Sequence, residues 1–251
     1  MSAPLFHTLP DGRRIAFRHV LPTPAHATSP TLVFLPGYMS DMSGSKATRL
    51  FASAAAAGRG CLLLDYSGCG MSSGAFADGT LTRWRDEVLS LIATQVAGPV
   101  LLAGSSMGGW LMLLVAEQLG PQLAGLIGIA PAPDFTRWGY TPAQQAALVA
   151  GETIFEPNPY GPEPTPTFAA FHADAAQHQR LEQGVALTCP VHLVHGQRDP
   201  DVPWEISLKL AAALASDAVQ VTLIKDGDHR LSRPQDIAVI ERAVAAFYQG
   251  N

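Results

Sequence analysis

One serine of the sequence stands where a nucleophile is expected. Ser106 is the middle residue of 104–108, which read Gly-Ser-Ser-Met-Gly and match the pattern Gly-x-Ser-x-Gly. A short apolar run, 99–103, precedes this stretch, and an apolar helical stretch, 107–119, follows it. Such a strand, turn and helix are typical of a nucleophile elbow, in which the tight turn lifts the serine above the sheet. Ser105 is the rival hydroxyl, but the glycine spacing centres on Ser106.

A histidine and a carboxylate follow the serine in the order that this chemistry uses. A serine hydroxyl is a weak nucleophile until a base takes its proton. His229 lies in the loop after the last apolar run and is the predicted base. Asp199, in the loop after the preceding run, is the predicted acid, which orients the histidine and stabilises its cation. Asp201 is the alternative acid and Asp134 a distant third. An Asx turn or a helix cap is the structural alternative for Asp199.

The other histidines have less specific settings. Three of them are close to the N-terminus, two lie on or at the end of a predicted strand, and two fall in a long insertion: His7, His19 and His26; His192 and His195; His172 and His178. We assign none of them to the reaction.

Two backbone N–H groups are predicted to stabilise a developing oxyanion. One belongs to Met107, the residue after the nucleophile. The other belongs to Tyr38, in the loop after the apolar run 31–35, where Gly37 allows a close approach. The side chains of Tyr38 and Met39 either wall the pocket or simply pack at the turn.

Apolar runs that alternate with helical stretches predict the scaffold for these residues. Runs without polar alternation indicate strands buried on both faces of a parallel sheet. Strands that alternate with helices predict an α/β, doubly wound, mostly parallel sheet with helices on both faces. The predicted strands are 12–20, an edge strand, and then 31–35, 61–65, 99–103, 123–129, 190–195 and 219–224. The predicted helices are 43–57, 81–97, 107–119, 203–216 and 234–249.

A long insertion interrupts this alternation and predicts a small helical cap. The core is predicted to comprise 1–133 and 188–251, with 134–187 as a cap over the carboxyl ends of the strands, where open α/β sheets bind ligands. The predicted pieces of the cap are two helices and a proline-rich stretch between them: 141–150, 168–183 and 156–167. Its aromatic residues either line an apolar acyl site or form the core of the cap: Trp138, Tyr140, Phe155, Tyr160 and Phe168.

The loop after the strand 61–65 is predicted to be structural. It contains several glycines but neither of the common phosphate-binding patterns, so a turn is the better interpretation. We expect Asp65 to tie neighbouring loops together.

Composition excludes several classes of protein. Of 251 residues, 47% are hydrophobic and 15% charged, which favours one compact domain over disorder. The net charge of −5 argues against a nucleic-acid partner. The longest apolar run, 110–116, is too short to span a membrane. Cys61, Cys69 and Cys189 have no metal-like spacing, so neither a metal nor a cofactor is expected. The N-terminus resembles neither a secretory signal nor a transit peptide, and we expect a cytoplasmic protein.

Five segments together resemble a known family. They are FLPGYMSDMSGSKA, LDYSGCGMSSG, GSSMGGWLML, HGQRDPDVPW and DHR. In this order and spacing they resemble the palmitoyl-protein thioesterase and acyl-glucuronide esterase group of the α/β-hydrolases, from about residue 31 onward. Pro-Gly-Tyr replaces the His-Gly pair that is usual before the oxyanion donor. The resemblance implies Ser106 as nucleophile, Asp199 as acid, His229 as base, and Tyr38 and Met107 as oxyanion donors. The insertion does not clearly match the family's cap, so the substrate is not carried over.

These features predict a serine hydrolase that cleaves a carboxylic ester or thioester through an acyl-enzyme intermediate. The partner would be a small-molecule or acylated substrate, and the sequence does not fix the oligomeric state. The alternatives are a serine peptidase of the same fold and a binding module that retains the fold without catalysis.

Overall fold

The protein is built around one eight-stranded sheet. The computed structural model describes residues 3–158 and 161–248. The strands are β1 (Leu5–Thr8), β2 (Arg14–Val20), β3 (Thr31–Leu35), β4 (Cys61–Leu64), β5 (Val100–Ser105), β6 (Leu123–Ile129), β7 (Ile154–Glu156), β8 (Thr165–Thr167), β9 (Val191–Gly196) and β10 (Val219–Ile224). The order in the sheet is β1-β2-β4-β3-β5-β6-β9-β10, while β7 and β8 form a separate hairpin. β1 pairs antiparallel with β2, and β2 pairs antiparallel with β4. Along the sheet order from β4 through β3, β5, β6 and β9 to β10, all neighbouring strands pair in parallel.

Helices cover both faces of the sheet, which confirms the doubly wound prediction. They are α1 (Ser45–Ala56), α2 (Leu81–Gln95), α3 (Met107–Leu119), α4 (Phe135–Trp138), α5 (Pro142–Val149), α6 (Ala169–Ala175), α7 (Glu205–Ala213) and α8 (Pro234–Ala246). α1 and α8 pack on one face, and α2, α3 and α7 pack on the other. In the described part of the chain, no helix is both long enough and apolar enough to cross a bilayer.

The central strand β5 shows why the apolar runs lack polar alternation. Val100 and Leu102 face the cluster under α2 and α3, whereas Leu101 and Ala103 face the cluster under α1 and α8. Both faces of the strand are therefore dry, and successive side chains must all be apolar.

The carboxyl ends of five strands lie level with one another. Residues at or near these ends pair in register: Leu35 with Gly104, Ser105 with Ile129, Ile129 with Val194, and Gly196 with Ile224. The loops that follow β3, β5, β6, β9 and β10 consequently leave the sheet along one edge. Each residue predicted to act in the reaction lies in one of these loops or in the first turn of α3.

The N-terminal edge of the sheet differs from the prediction. We expected the strand around 12–20 to be the edge strand, but β1 lies outside it, so β2 has a neighbour on each side. β1 has only four residues, Leu-Phe-His-Thr, and none of them is buried. A strand without a buried face has no hydrophobic pattern from which to predict it.

The segment 134–187 holds α4, α5, the hairpin β7–β8 and α6. The two strands of the hairpin lie at the two ends of the proline-rich stretch 156–167, and the sequence predicts neither of them. The helix predicted over 168–183 ends at Ala175, and the chain continues in turns, such as the bond from the His178 N–H to the Ala175 carbonyl. Turns there bring the N–H groups of Arg180 and Leu181 to the Asp134 carboxylate, at 2.8–3.0 Å.

The aromatic residues of this segment do not share one environment. Tyr140 is buried in a small cluster with Leu148 and Ile154, and its hydroxyl is 2.8 Å from the Thr167 Oγ1, so it belongs to the core of the segment. Trp138 packs against a second small cluster, and Phe155 is 63% exposed on the hairpin. Phe168 contacts Phe76 edge to face. Tyr160 lies outside the described residues.

Helix α3 packs against the sheet at a distance that only glycine allows. Every residue from Met107 to Ala116 is buried. A Cβ atom on Gly108 would lie 2.2 Å from the Leu35 carbonyl oxygen, and one on Gly104 would lie 2.3 Å from the Gly108 carbonyl oxygen. These neighbours are backbone atoms and cannot rotate away.

We therefore expect Gly108→Ala to lower the free energy of unfolding by about 2 kcal/mol or more, because the methyl group forces α3 away from β3. Gly98→Ala is the matched control, since its nearest neighbour, the Ala27 carbonyl oxygen, would be 3.9 Å away. The control should stay within about 0.5 kcal/mol of the native chain in urea unfolding. Equal stability of the two variants would contradict this account of the packing.

Candidate active site

The turn between β5 and α3 holds Ser106 in a strained conformation. Its φ is 55° and its ψ is −123°, a combination that L-residues seldom adopt and that costs about 1–3 kcal/mol. Backbone hydrogen bonds maintain the turn: the Ser106 N–H donates to the Ile129 carbonyl at 3.0 Å, and the N–H groups of Gly109 and Ala132 donate to the Ser106 carbonyl at 2.8 and 3.0 Å. The surrounding backbone thus stabilises the geometry that presents the hydroxyl.

Ser106, His229 and Asp199 form one hydrogen-bonded chain. The His229 Nε2 is 3.1 Å from the Ser106 Oγ, and the His229 Nδ1 is 2.8 Å from the Asp199 Oδ2. Since a carboxylate only accepts, Nδ1 carries the proton and Nε2 presents its lone pair to the serine hydroxyl. Here the structure brings together the three side chains that the sequence predicted.

The carboxylate of Asp199 is fully buried and accepts from four donors. Oδ2 accepts from His229 and from the Nε2 of His195, the latter at 3.1 Å. Oδ1 accepts from the N–H groups of Asp201 and Val202, both at 2.8 Å. Burial alone would raise the pKa of Asp199, but the hydrogen bonds from His195, His229 and Val202 hold it well below its usual range. Asp199 is therefore an anion over the pH range in which proteins function.

The loop that carries His229 is held on both sides of the histidine. Leu231, with a φ of 43°, donates its N–H to the Asp228 Oδ1 at 2.9 Å. On α1, the Lys46 ammonium donates to the Arg230 carbonyl. Burial, reinforced by the Arg230 charge, lowers the pKa of Lys46 to about 8. The sequence offered no signal for Lys46, because α1 and this loop are far apart along the chain.

The rival residues have other partners. Ser105 is buried at the end of β5, and it is the Ser106 hydroxyl that donates to the His229 Nε2. Asp134 binds backbone N–H groups of the segment 134–187. Asp201 is exposed, and its N–H donates to Asp199.

One group of possible metal ligands occurs among the described residues. Asp199, Asp201 and His229 each offer an atom within 4.8 Å of the others. The Nδ1 of His229 already donates its proton to Asp199, so a metal ion bound there would have to replace this hydrogen bond.

The loop after β3 approaches the serine closely. A Cβ atom on Gly37 would lie 3.3 Å from the Ser106 Cβ, so the backbone of the loop passes directly beside the hydroxyl-bearing residue. Met107 is the first residue of α3, and its N–H therefore has no carbonyl partner within the helix. Tyr38 and Met107 are thus on elements adjacent to Ser106, as the oxyanion prediction requires.

The buried side chain of Asp65 holds this loop in place. Oδ1 accepts the Met42 N–H at 2.7 Å, and Oδ2 accepts the Met71 N–H at 2.8 Å. The first bond fixes the loop after β3, and the second fixes the loop after β4. The prediction that Asp65 ties neighbouring loops is confirmed.

The side chain of Tyr38 reaches across to the segment 134–187. Its hydroxyl donates to the Pro166 carbonyl at 3.1 Å, and its ring contacts Phe171 at 5.0 Å between centroids. On the core side the ring contacts Phe76 at 4.9 Å. Burial raises the pKa of the Tyr38 phenol, which keeps the hydroxyl protonated as a donor. Of the two interpretations for this side chain, the structure favours packing, and it extends beyond the turn.

His195 is the principal feature of the site that the sequence does not reveal. The sequence places it only on or at the end of a predicted strand, four residues before Asp199. That spacing is a possible signal, because the residue at the end of the strand and the loop that follows it can face each other.

Comparison with known proteins agrees with this architecture. The sequence matches the alpha/beta hydrolase family over residues 32–240. The human protein named palmitoyl-protein thioesterase ABHD10, mitochondrial, is 34% identical over 239 residues, which are 94% of this chain and 76% of that protein.

Two solved structures are similar over nearly the whole length. A protein from Agrobacterium vitis S4 is 38% identical with a TM-score of 0.90, and the match covers 98% of this chain and 99% of that one. Alpha/beta hydrolase domain-containing protein 10 from mouse is 31% identical with a TM-score of 0.90, and the match covers 99% of each chain. With this similarity in sequence and structure, the chain belongs to the α/β-hydrolase family.

Proposed function

We propose that the protein is a serine hydrolase that cleaves carboxylic esters or thioesters through an acyl-enzyme intermediate on Ser106. The observation that carries the proposal is the hydrogen-bonded chain from the Ser106 hydroxyl through His229 to the buried Asp199. The family supplies the broader class, a hydrolase. The name of the human and mouse relatives supports the thioester alternative for this chain.

In the acylation step, Ser106 Oγ attacks the acyl carbon while its proton passes to the Nε2 of His229. The carbonyl oxygen becomes an oxyanion, which the N–H groups of Tyr38 and Met107 stabilise. Asp199 stabilises the cationic His229 without taking its proton. When the intermediate collapses, the bond to the leaving group breaks, and His229 gives its proton to the departing alkoxide or thiolate.

In the deacylation step, water takes the place of the leaving group. His229 accepts a proton from the water as the oxygen attacks the acyl carbon, and the same two N–H groups stabilise the second oxyanion. Collapse returns the proton to Ser106 and releases the acid. The segment 134–187, which contacts Tyr38 through Pro166, is in our proposal the cap that shapes the acyl space.

A location in the cytoplasm stays a prediction from the sequence. The free cysteines fit a reducing compartment. The mitochondrial location in the names of the relatives is a statement about those proteins.

Covalent labelling tests the nucleophile. A fluorophosphonate should add to the native protein at Ser106, because His229 is positioned to activate this hydroxyl. Ser106→Ala should abolish both the adduct and hydrolysis, whereas Ser105→Ala should retain the adduct. Mass spectrometry of the intact and digested protein locates the label. An unlabelled native protein would leave a binding module as the better interpretation.

Paired substitutions test the acid. Asp199→Asn should lower kcat by about 10³–10⁴-fold, because an amide places a donor or a neutral acceptor where His229 needs an anion. Asp201→Asn is the matched control, and we expect its kcat within about threefold of the native value, since the bond from Asp201 to Asp199 comes from the backbone N–H, which the substitution retains. Steady-state kinetics on one p-nitrophenyl ester suffice, and a reversed order of the two effects would make Asp201 the acid.

Matched substrates test the bond that is cleaved. Thioester, ester and amide of one acyl chain should differ mainly in the leaving group. A thiolate departs readily and an alkoxide departs with the proton of His229, so we expect hydrolysis of both the thioester and the ester. The measurement is kcat/KM for each of the three substrates. The amide should remain intact. Cleavage of the amide at the rate of the ester would favour the peptidase alternative.

A further inference from the structure

A second histidine binds the acid of the proposed site. His195 lies on β9, one residue before its end, and its side chain is fully buried. Its Nε2 is 3.1 Å from the Asp199 Oδ2 and 3.1 Å from the Val202 carbonyl oxygen. Its Nδ1 is 2.7 Å from the Ser207 Oγ on α7.

The contacts of His195 determine where its proton lies. Both neighbours of Nε2 are acceptors, a carboxylate and a carbonyl, so Nε2 carries the proton. Nδ1 faces a hydroxyl, which can donate to it when the ring is neutral. The ring therefore donates to Asp199 on one side and is held by Ser207 on the other.

We propose that His195 is a positioning residue for the hydrolysis proposed above, in which its Nε2–H holds the Asp199 carboxylate toward His229 and withdraws part of its negative charge. His195 does not touch the substrate in this account. It acts through Asp199, whose Oδ2 it shares with His229.

His195 and His229 bind the same oxygen of Asp199, and this sharing affects the charge that the carboxylate presents to His229. Each donor that binds Oδ2 stabilises the carboxylate and lowers its power to attract a proton, and the hydrogen bond from His195 contributes to the low pKa of Asp199. A carboxylate that gives less negative charge to His229 stabilises the cationic histidine less. The cost of forming that cation during the reaction is therefore set by both donors to Oδ2, not by His229 alone.

Other charged groups lie near His229 and Asp199, and the variants below leave them all in place. They belong to α1, to the loop after β9 and to the loop after β10: Lys46, Asp201, Asp228 and Arg230.

A purely structural role for His195 predicts a different result. In that case the ring would serve to join β9 to α7 through Ser207, and any loss would appear in stability alone. The two roles depend on different ring nitrogens, so substitutions that imitate one nitrogen at a time distinguish them.

The experiment compares His195→Gln with His195→Asn. The glutamine amide reaches the position of Nε2 and retains a donor to Asp199, whereas the shorter asparagine amide reaches only the position of Nδ1 and retains the bond to Ser207. Ser207→Ala removes the other partner and is the control. For each variant, kcat and KM for p-nitrophenyl butyrate are measured from pH 5 to 9, and the melting temperature is recorded.

We expect His195→Asn to move the acid limb of the kcat/KM profile upward by about 0.5–1 pH unit, since the unshared carboxylate holds the proton on His229 more firmly. Its kcat should fall about tenfold, because Asp199 is less well oriented, with little change in KM. His195→Gln should keep the native acid limb, and Ser207→Ala should keep both the limb and kcat.

The proposal is overturned if the glutamine and asparagine variants behave alike, whether both match the native protein or both are equally impaired. It is also overturned if Ser207→Ala moves the acid limb as far as His195→Asn does. Failure of the proposed function gives a distinct result, since the native protein would then neither hydrolyse the ester nor react with a fluorophosphonate.

Discussion

The site depends on one buried charge. The Asp199 carboxylate has no contact with solvent, and a buried anion is stable only when its lone pairs are satisfied. Four donors satisfy them, two from the turn after β9, one from β9 itself and one from the loop after β10. The anion thus defines the relative positions of three parts of the chain. It also fixes the proton of His229 on Nδ1, which leaves Nε2 free to accept from Ser106.

A second constraint, the close packing of α3 on the sheet, gives the serine its place opposite that histidine. The strained backbone of Ser106 is maintained by hydrogen bonds to Ile129 and Ala132, on and just after β6, and by a helix whose first ten residues are buried. Because α3 is almost wholly within the core, it cannot rotate to relieve the strain at its first turn. The strain at Ser106 therefore persists because the surrounding scaffold is rigid.

The sequence predicts those features that depend on hydrophobic pattern and chain order. Continuous apolar runs identify the parallel strands, parallel strands end along one edge, and so Ser106, Asp199 and His229 could be expected to meet there. β1 and the hairpin β7–β8 are not predicted from the sequence because they are short and largely unburied. The contact of His195 with Asp199 is not predicted for a different reason. It depends on the direction of one side chain at the end of a strand, and a pattern of residue types does not specify that direction.

The loop after β3 and the segment 134–187 are joined by one side chain, with consequences for both. The Tyr38 hydroxyl binds the Pro166 carbonyl on β8, and the Tyr140 hydroxyl meets Thr167 on the same strand. The backbone on either side of Tyr38 is meanwhile fixed by the approach of Gly37 to Ser106 and by the bond from Met42 to Asp65. β8 is thus bound to a loop whose backbone is itself held at two points. The segment 134–187, which we propose to be the cap, is therefore anchored through Tyr38 to the loop that passes beside Ser106.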